Sequence, residues 1–335
     1  MIPDLPDEVE KRLKYLGDVG THWLDQLPAT LARLSEEWQI SLQSVLHGGS
    51  ESLVMRVLQK EQQTQNGNSD AVLKVLLPSI AEPGQNEIWP NREIDVLQTA
   101  GGCGYVQLLA ADIQSLAMLL EPLGAPLGQL EIDVEYQQQL LCETLKECWR
   151  TPVADLGLQT GAQKARWLRG FIGSLAQSQK GHISEQALSI AIEFTHEREA
   201  AHAGAKKVLV HGDPHEMNIL QQLKRGTTEP SGYKMIDPDG LYAEAEYDVG
   251  VILRDASATL LKTSTHAPIE RGITRCERLA KLSGTQCLPI WQWGYIERVS
   301  TGLYTLELGM PEYGKDALAV ANSWATQNAA ACFRA

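Results

Sequence analysis

Basic residues, paired cysteines and long apolar runs are all scarce in this chain. Its 335 residues carry 29 Lys and Arg against 42 Asp and Glu, a formal net charge of -13. That balance excludes a nucleic-acid partner, because neutralising phosphates takes clustered Lys and Arg. The acid excess accounts first for a soluble surface, and it would also favour a cationic ligand. With screening over roughly 8 Å at physiological salt, only carboxylates lining a cleft can act on one. No uninterrupted apolar stretch approaches the roughly 20 residues of a membrane-spanning helix, so no membrane partner is expected. The opening MIPDLPDEVEKRLKYLG has neither the basic start nor the apolar middle of a secretion signal. Six cysteines, at 103, 142, 148, 276, 287 and 332, include no CxxC and no regular spacing. They read as free thiols of a cytoplasmic protein rather than as disulfides or a zinc site. No internal repeat, low-complexity segment or signal of oligomeric state is present.

With 43% apolar residues over this length, two lobes can each build a core. Residues 5–38 set Val9, Leu13, Leu16, Trp23, Leu27, Leu31, Leu34 and Trp38 at helical spacings, interrupted near Gly17 and Pro28. They predict amphipathic helices packed on the part of the chain after them. ISLQSVL, ESLVMRVLQ and DAVLKVLL then read as strands. A helix over NEIWPNREIDVLQTA and two short strands, YVQLLAAD and LAMLLEPLG, come next. From Leu130 the pattern is helical, in LEIDVEYQQQLLCETLKECW, ARWLRGFIGSLAQ and SEQALSIAIEFTHEREAAH. The exception is a pair of strands, VLVHGD and YKMIDPD, around a polar loop. The expected class is α+β. Its expected organisation is a helical segment at 1–39, a β-rich lobe at 40–121, a Pro/Gly-rich linker at 122–129 and a helical lobe at 130–335.

The stretch VLVHGDPHEMNIL at 208–220 gathers two histidines, an aspartate and an asparagine between apolar runs. Two chemistries compete for it. His211, Asp213 and His215 could hold the metal of a hydrolase as H-x-D-x-H. Alternatively, Asp213 and Asn218 stand five residues apart, as in the catalytic loop H-R-D-x-x-x-x-N of protein kinases. Phosphoryl transfer needs a carboxylate beside the acceptor hydroxyl, ligands for Mg²⁺, and cations or amides along the phosphates. Asp237 in KMIDPDG, one hairpin later, supplies a second hard oxygen ligand of the kind that suits Mg²⁺. The kinase reading makes further demands upstream. HGGSES at 47–52 provides a Gly-rich turn with Gly48, Gly49, Ser50 and Ser52. Lys74 stands inside the strand AVLKVLL, where a lone charge is otherwise costly. Glu93 on the following helix can pair with it, and LLEPLG at 119–124 leads a strand into a linker able to hold adenine. Each feature alone is weak, but their order is informative, and the hydrolase reading leaves Lys74, the Gly turn and Asn218 unexplained.

The set HGGSES, AVLKV, NREIDVL, LLEPLG, HGDPHEMN, IDPDGL and YDVGVILRD resembles the aminoglycoside phosphotransferases, from about residue 5 to 325. IDPDGL, CWRTP at 148–152 and the leading helices ending in Trp38 look closest to the branch of streptomycin 6-phosphotransferases and hydroxyurea-type resistance kinases. The resemblance implies a two-lobed protein-kinase-like fold. It implies ATP and Mg²⁺ as cofactors and a small, cationic hydroxyl acceptor, with streptomycin the first choice and another small metabolite the alternative. By position it makes Asp213 the catalytic carboxylate and Asn218 and Asp237 the metal ligands. Lys74, oriented by Glu93, would hold the α- and β-phosphates under the Gly48–Ser52 turn. The backbone from Glu121 to Leu123 would take adenine, and Asp248 would brace the catalytic loop. Two positions depart from the family's pattern, Asp239 and the pair Tyr304-Thr305. His211 and His215 are expected to shape the loop, and Trp291, Trp293 and Tyr295 to lie in the core. Asp255, Glu270, Glu297 and Glu307 are acids that a cationic acceptor could meet.

Overall fold

A computed structural model of the chain describes residues 4–49, 51–60, 69–78, 91–153, 155–223, 231–262, 267–326 and 333. The chain forms two compact units that divide at Gly124/Ala125.

In the first unit, α1 (Asp7–Tyr15) and α2 (Asp18–Glu37) meet at Gly17, whose φ of +58° suits glycine. The second expected interruption does not occur, since Pro28 lies inside α2. An interior proline costs ~3 kcal/mol. Leu27, Leu31 and Leu34 of the same helix are buried against Ile40, Leu53, Val57 and Leu73. At about 1.5–3 kcal/mol for each such side chain, that burial outweighs the broken hydrogen bond.

The strands β1 (Ile40–Leu46), β2 (Ser52–Gln59), β3 (Ser69–Leu76), β4 (Leu108–Asp112) and β5 (Ala117–Leu120) form an antiparallel sheet of order β1-β2-β3-β5-β4. β3 is therefore central, and its register sets Lys74 opposite Val54 on one side and Met118 on the other. Between β3 and β4 runs α3 (Arg92–Ala100), which ends at Gly101 with φ +56°. The earlier part of the expected helix, to residue 90, lies outside the described residues. LAMLLEPLG, expected as one strand, divides at Glu121-Pro122 because proline cannot donate to a ladder. β5 ends at Leu120, and β6 (Leu123–Pro126) starts after the proline.

After a 3₁₀ turn at Leu127–Gln129 come α4 (Val134–Cys148), α5 (Gly161–Ser178) and α6 (Glu185–Ala201). Each of the three starts on a side-chain cap: Asp133 accepts from the Tyr136 N–H, Thr160 forms a capping box with Gln163, and Ser184 accepts from Ala187. Four short strands come next: β7 (Val208–Val210), β8 (Ile219–Gln222), β9 (Tyr233–Met235) and β10 (Leu241–Ala243). β7 pairs with β10, Val210 opposite Leu241, and β8 with β9, Ile219 opposite Met235. The two pairings bring the β7–β8 loop and the β9–β10 loop side by side. β8 and β10, of four and three residues, are strands that the sequence reading does not include.

The remaining helices are α7 (Glu246–Arg254), α8 (Ser257–Leu261), α9 (Pro268–Ser283), α10 (Cys287–Glu307) and α11 (Pro311–Ala325). α10 is the axis of the second unit and is buried along nearly all of its length. Trp291, Trp293 and Tyr295 are core residues, as expected. Trp291 stacks on Trp324 at 4.2 Å, and Trp293 meets the Tyr247 ring edge-on at 4.9 Å. Cys103, Cys142, Cys148, Cys276 and Cys287 are free thiols. Among the described residues no helix is long and apolar enough to cross a membrane.

Candidate functional site

Lys74 occupies the middle of a central strand, where its ammonium has little access to water: it is 5% exposed, and Glu93 on α3 is 7% exposed. Lys74 Nζ donates to Glu93 Oε1 at 2.6 Å and to Oε2 at 2.8 Å. A buried charge needs such a partner, and the pairing expected from the sequence is present. In the β1–β2 turn Gly48 has φ +121°, a left-handed conformation open to glycine. Ser52 is buried at the start of β2, and a Cβ added at Gly49 would stand 3.6 Å from its Oγ. Ser50 lies outside the described residues. At the end of β5, Glu121 and Gln107 bond reciprocally. The Glu121 N–H donates to Gln107 O at 3.0 Å, and the Gln107 N–H donates to Glu121 Oε1 at 2.8 Å. Leu123 opens β6 half-buried.

In the second unit the β7–β8 loop is built on Asp248 of α7, which is fully buried. Its Oδ2 accepts the His211 N–H and the Trp149 indole N–H, each at 2.9 Å, and its Oδ1 accepts the Gly212 N–H at 2.9 Å. Burial pushes this carboxyl above its ordinary pKa, against the pull of those three donors. The bracing role expected of Asp248 is visible in this geometry. Gly212 itself has φ +99°, and a Cβ there would stand 2.6 Å from Asp239 Cβ. Only glycine lets the loop come so close to the β9–β10 segment.

His211 is buried, and both of its ring nitrogens are engaged. Nδ1 accepts the Asp213 N–H at 3.2 Å, which assigns the proton to Nε2, and Nε2 donates to Ile236 O at 2.8 Å. A histidine so committed has no lone pair for a metal. The H-x-D-x-H hydrolase reading is overturned on that ground, and His211 instead ties the two loops together.

Asp213 stands half-buried at the loop's apex. Its Oδ1 accepts from Arg254 Nη2 at 3.0 Å, and its Oδ2 lies 3.6 Å from His215 Nε2. Burial pushes the Asp213 carboxyl up, but Arg254 and His215 outweigh it and hold it below the ordinary carboxylate value. Asn218 closes the loop: its Nδ2 donates to Asp213 O at 3.2 Å, and its own carbonyl accepts the Ile236 N–H at 2.9 Å. Committing the amide nitrogen leaves Oδ1 as the atom an ion would meet. Asp237 comes directly after Ile236, with φ +57°, a conformation rare outside glycine and costing on the order of 1–3 kcal/mol. Asp213, Asn218 and Asp237 are thus brought together on two adjoining loops. An amide oxygen and a carboxylate are oxygen donors of the kind that suits a hard divalent cation whose other ligands are phosphate and water. Among the described residues no group of three His, Cys, Asp or Glu could hold a metal by itself.

Arg254 and Trp149 are absent from the residues singled out by the sequence. The one available signal was a lone basic residue ending the apolar helix YDVGVILRD, together with the Trp of CWRTP. The acids that a cationic acceptor could meet all have internal partners. Asp255 Oδ1 accepts from Arg254 Nε at 3.0 Å, and Glu297 Oε1 accepts from the Tyr247 hydroxyl at 2.6 Å. Glu307 accepts from Ser178 and Gln179, and Glu270 from the Ala267 N–H.

Comparison with known proteins gives the family and the fold. A streptomycin 6-kinase of Streptomyces glaucescens is 25% identical over 299 residues, covering 88% of this chain and 87% of that protein. A hydroxyurea phosphotransferase of Kitasatospora aureofaciens is 27% identical over 260 residues, covering 74% and 67%. Among solved structures, the choline kinase LicA of Streptococcus pneumoniae in complex with AMP superposes with a TM-score of 0.55 at 13% identity, over 88% of this chain and 96% of that one. At that identity the likeness is one of fold, the two-part kinase-like arrangement of a β-rich and a helical unit. The family model described as aminoglycoside/hydroxyurea antibiotic resistance kinase matches residues 37–307, and this chain, a small-molecule phosphotransferase, belongs to that family.

Proposed function

We propose that the protein transfers the γ-phosphoryl group of ATP, with Mg²⁺, to a hydroxyl of a small cationic acceptor, streptomycin or a related aminoglycoside. The observation that carries this reading is the loop on which Asp213 and Asn218 are locked together and set beside Asp237. Asp213 takes the proton of the acceptor hydroxyl as that oxygen bonds to the γ-phosphorus. The bond from that phosphorus to the bridging oxygen breaks, and ADP leaves. A bound Mg²⁺ would neutralise charge on the phosphates, and Asn218 Oδ1 and the Asp237 carboxylate are the groups that would hold it. Lys74, aimed by Glu93, would meet the α- and β-phosphates. Gly48, Gly49, Ser50 and Ser52 would cover them, and the Glu121 carbonyl and Leu123 backbone would take adenine.

Support for ATP comes from the AMP complex of the choline kinase and from a spectinomycin phosphotransferase solved with ADP and spectinomycin. Support for the acceptor comes from the relative called streptomycin 6-kinase. Acceptor identity does not follow from fold, so it is tested directly. Purified protein with Mg-ATP is assayed for ADP release against streptomycin, other aminoglycosides, hydroxyurea and amino-sugars. Streptomycin-dependent ADP release with a phosphorylated product is the expected result. Release driven by an unrelated metabolite alone would replace the acceptor but keep the chemistry. Asp213→Asn should lower turnover by about 10²–10⁴-fold, and turnover surviving within a few-fold would remove Asp213 from its role. A cytoplasmic setting accords with ATP as donor and with the free thiols.

A further inference from the structure

We infer that Arg254 is a positioning residue for this reaction: its guanidinium holds Asp213 through Oδ1, so that Oδ2 is the oxygen presented to the acceptor hydroxyl. The inference rests on the reading of Asp213 as the group that takes the proton. Arg254 is the last residue of α7, and its side chain is 12% exposed. Its fork spans two carboxylates, with Nη2 on Asp213 Oδ1 and Nε on Asp255 Oδ1, each at 3.0 Å. A carboxylate turns about one soft torsion with two equivalent oxygens. Anchoring one oxygen therefore fixes where the other points.

The anchor stands on a rigid base. Two further arginines bind the carbonyls at the end of α7, which have no partner within the helix. Arg275 donates to Ile252 O at 2.8 Å and to Asp255 O at 2.9 Å, and Arg298 donates to Leu253 O at 2.7 Å. α7 thereby grips the loop at two levels. Asp248, six residues before Arg254, holds the backbone of His211 and Gly212, while Arg254 holds the side chain that reacts. Asp255, with the Tyr313 hydroxyl 3.4 Å from its Oδ1, fixes the other arm of the fork. This assignment gives Arg254 and Asp255 a joint role in aiming the base.

Displacing a reacting group by about 1 Å can cost up to about 10²-fold in rate, and that sets the scale of the test. ADP release from Mg-ATP is measured with streptomycin as acceptor and with water alone, for wild type, Arg254→Gly and Arg254→Lys. Arg254→Gly should lose roughly 10–100-fold in kcat while the KM for ATP stays within about twofold. Millimolar guanidinium should restore part of that loss, but should not raise the rate of wild type or of Asp213→Asn. A kcat within twofold of wild type would overturn the assignment. So would a loss that guanidinium leaves unrepaired and that is matched by a weaker KM for ATP. Should Arg254→Gly fail to fold, Arg254→Lys is decisive. It keeps the charge but not the two-armed fork, and an undiminished kcat would sink the inference. Asp213→Asn separates this failure from that of the underlying reading. If Asp213→Asn stays active, the base is misassigned; if it is inactive while Arg254→Lys is fully active, the positioning role alone falls.

Discussion

Removing the carboxylate of Glu93 takes from the Lys74 ammonium the acceptor of two short hydrogen bonds, on a central strand where only 5% of the residue meets solvent. The two contacts, at 2.6 and 2.8 Å, correspond to an attraction of about 6 kcal/mol at an effective dielectric of about 20. Against it stands a desolvation cost of several kcal/mol for each ion. The intact pair is thus close to balance, but breaking it is not. Glu93→Ala should destabilise the first unit by about 3–5 kcal/mol. Replacing both partners, Lys74→Met with Glu93→Met, should restore stability to within about 1–2 kcal/mol of wild type or exceed it. Urea unfolding, together with hydrogen exchange at the β3 amides, reads this difference. The same double variant separates structure from chemistry. Stable, it should still lose ATP turnover, because the ammonium proposed to meet the α- and β-phosphates is gone. A cost for Glu93→Ala below about 1 kcal/mol would refute the reasoning, since such a value belongs to a solvated pair. A stable double variant that turned over ATP at the wild-type rate would refute the phosphate role.

Two further perturbations test the scaffold. Asp248→Ala leaves three donors without their acceptor, the N–H groups of His211 and Gly212 and the Trp149 indole. At about 1–3 kcal/mol each, the second unit should lose several kcal/mol, with exchange protection lost first at 211 and 212; retained protection there would contradict the brace. At Asp112, burial pushes the carboxyl up, but hydrogen bonds from Arg33, Ser115 and the Gln114 N–H outweigh it and leave it below its ordinary value. A depressed carboxylate contributes stability at pH values above its unfolded pKa of about 3.9, and that contribution disappears as pH falls through the lower folded value. The gap in urea midpoint between wild type and Asp112→Asn should therefore be constant above about pH 5 and close below about pH 4. A gap unchanged at low pH would mean that Asp112 is not ionised in its pair.

The legible features were local ones. β-rich apolar segments marked β1 to β3, and the apolar run AVLKVLL made the lone charge of Lys74 conspicuous. The five-residue interval from Asp213 to Asn218 is held inside a single loop, by a bond from the Asn218 side chain to Asp213 O, so spacing alone could express it. What stayed hidden depends on residues far apart in the chain. Arg254 reaches Asp213 across 41 positions, and Gly212 reaches Asp248 across 36. Periodicity carries no information about such partners. Pro28 misled in the same way, because its local penalty is visible in the sequence and the leucines that offset it count only once the sheet is in place. His211 shows the limit most plainly. Its position in H-x-D-x-H permits a metal ligand, and only the contacts of both ring nitrogens in the folded chain exclude one. The sequence determined which reacting groups are present and in what order. The tertiary structure decided which of their atoms remain available, because a hydrogen bond made inside the fold removes a lone pair or a proton that the residue type alone offers.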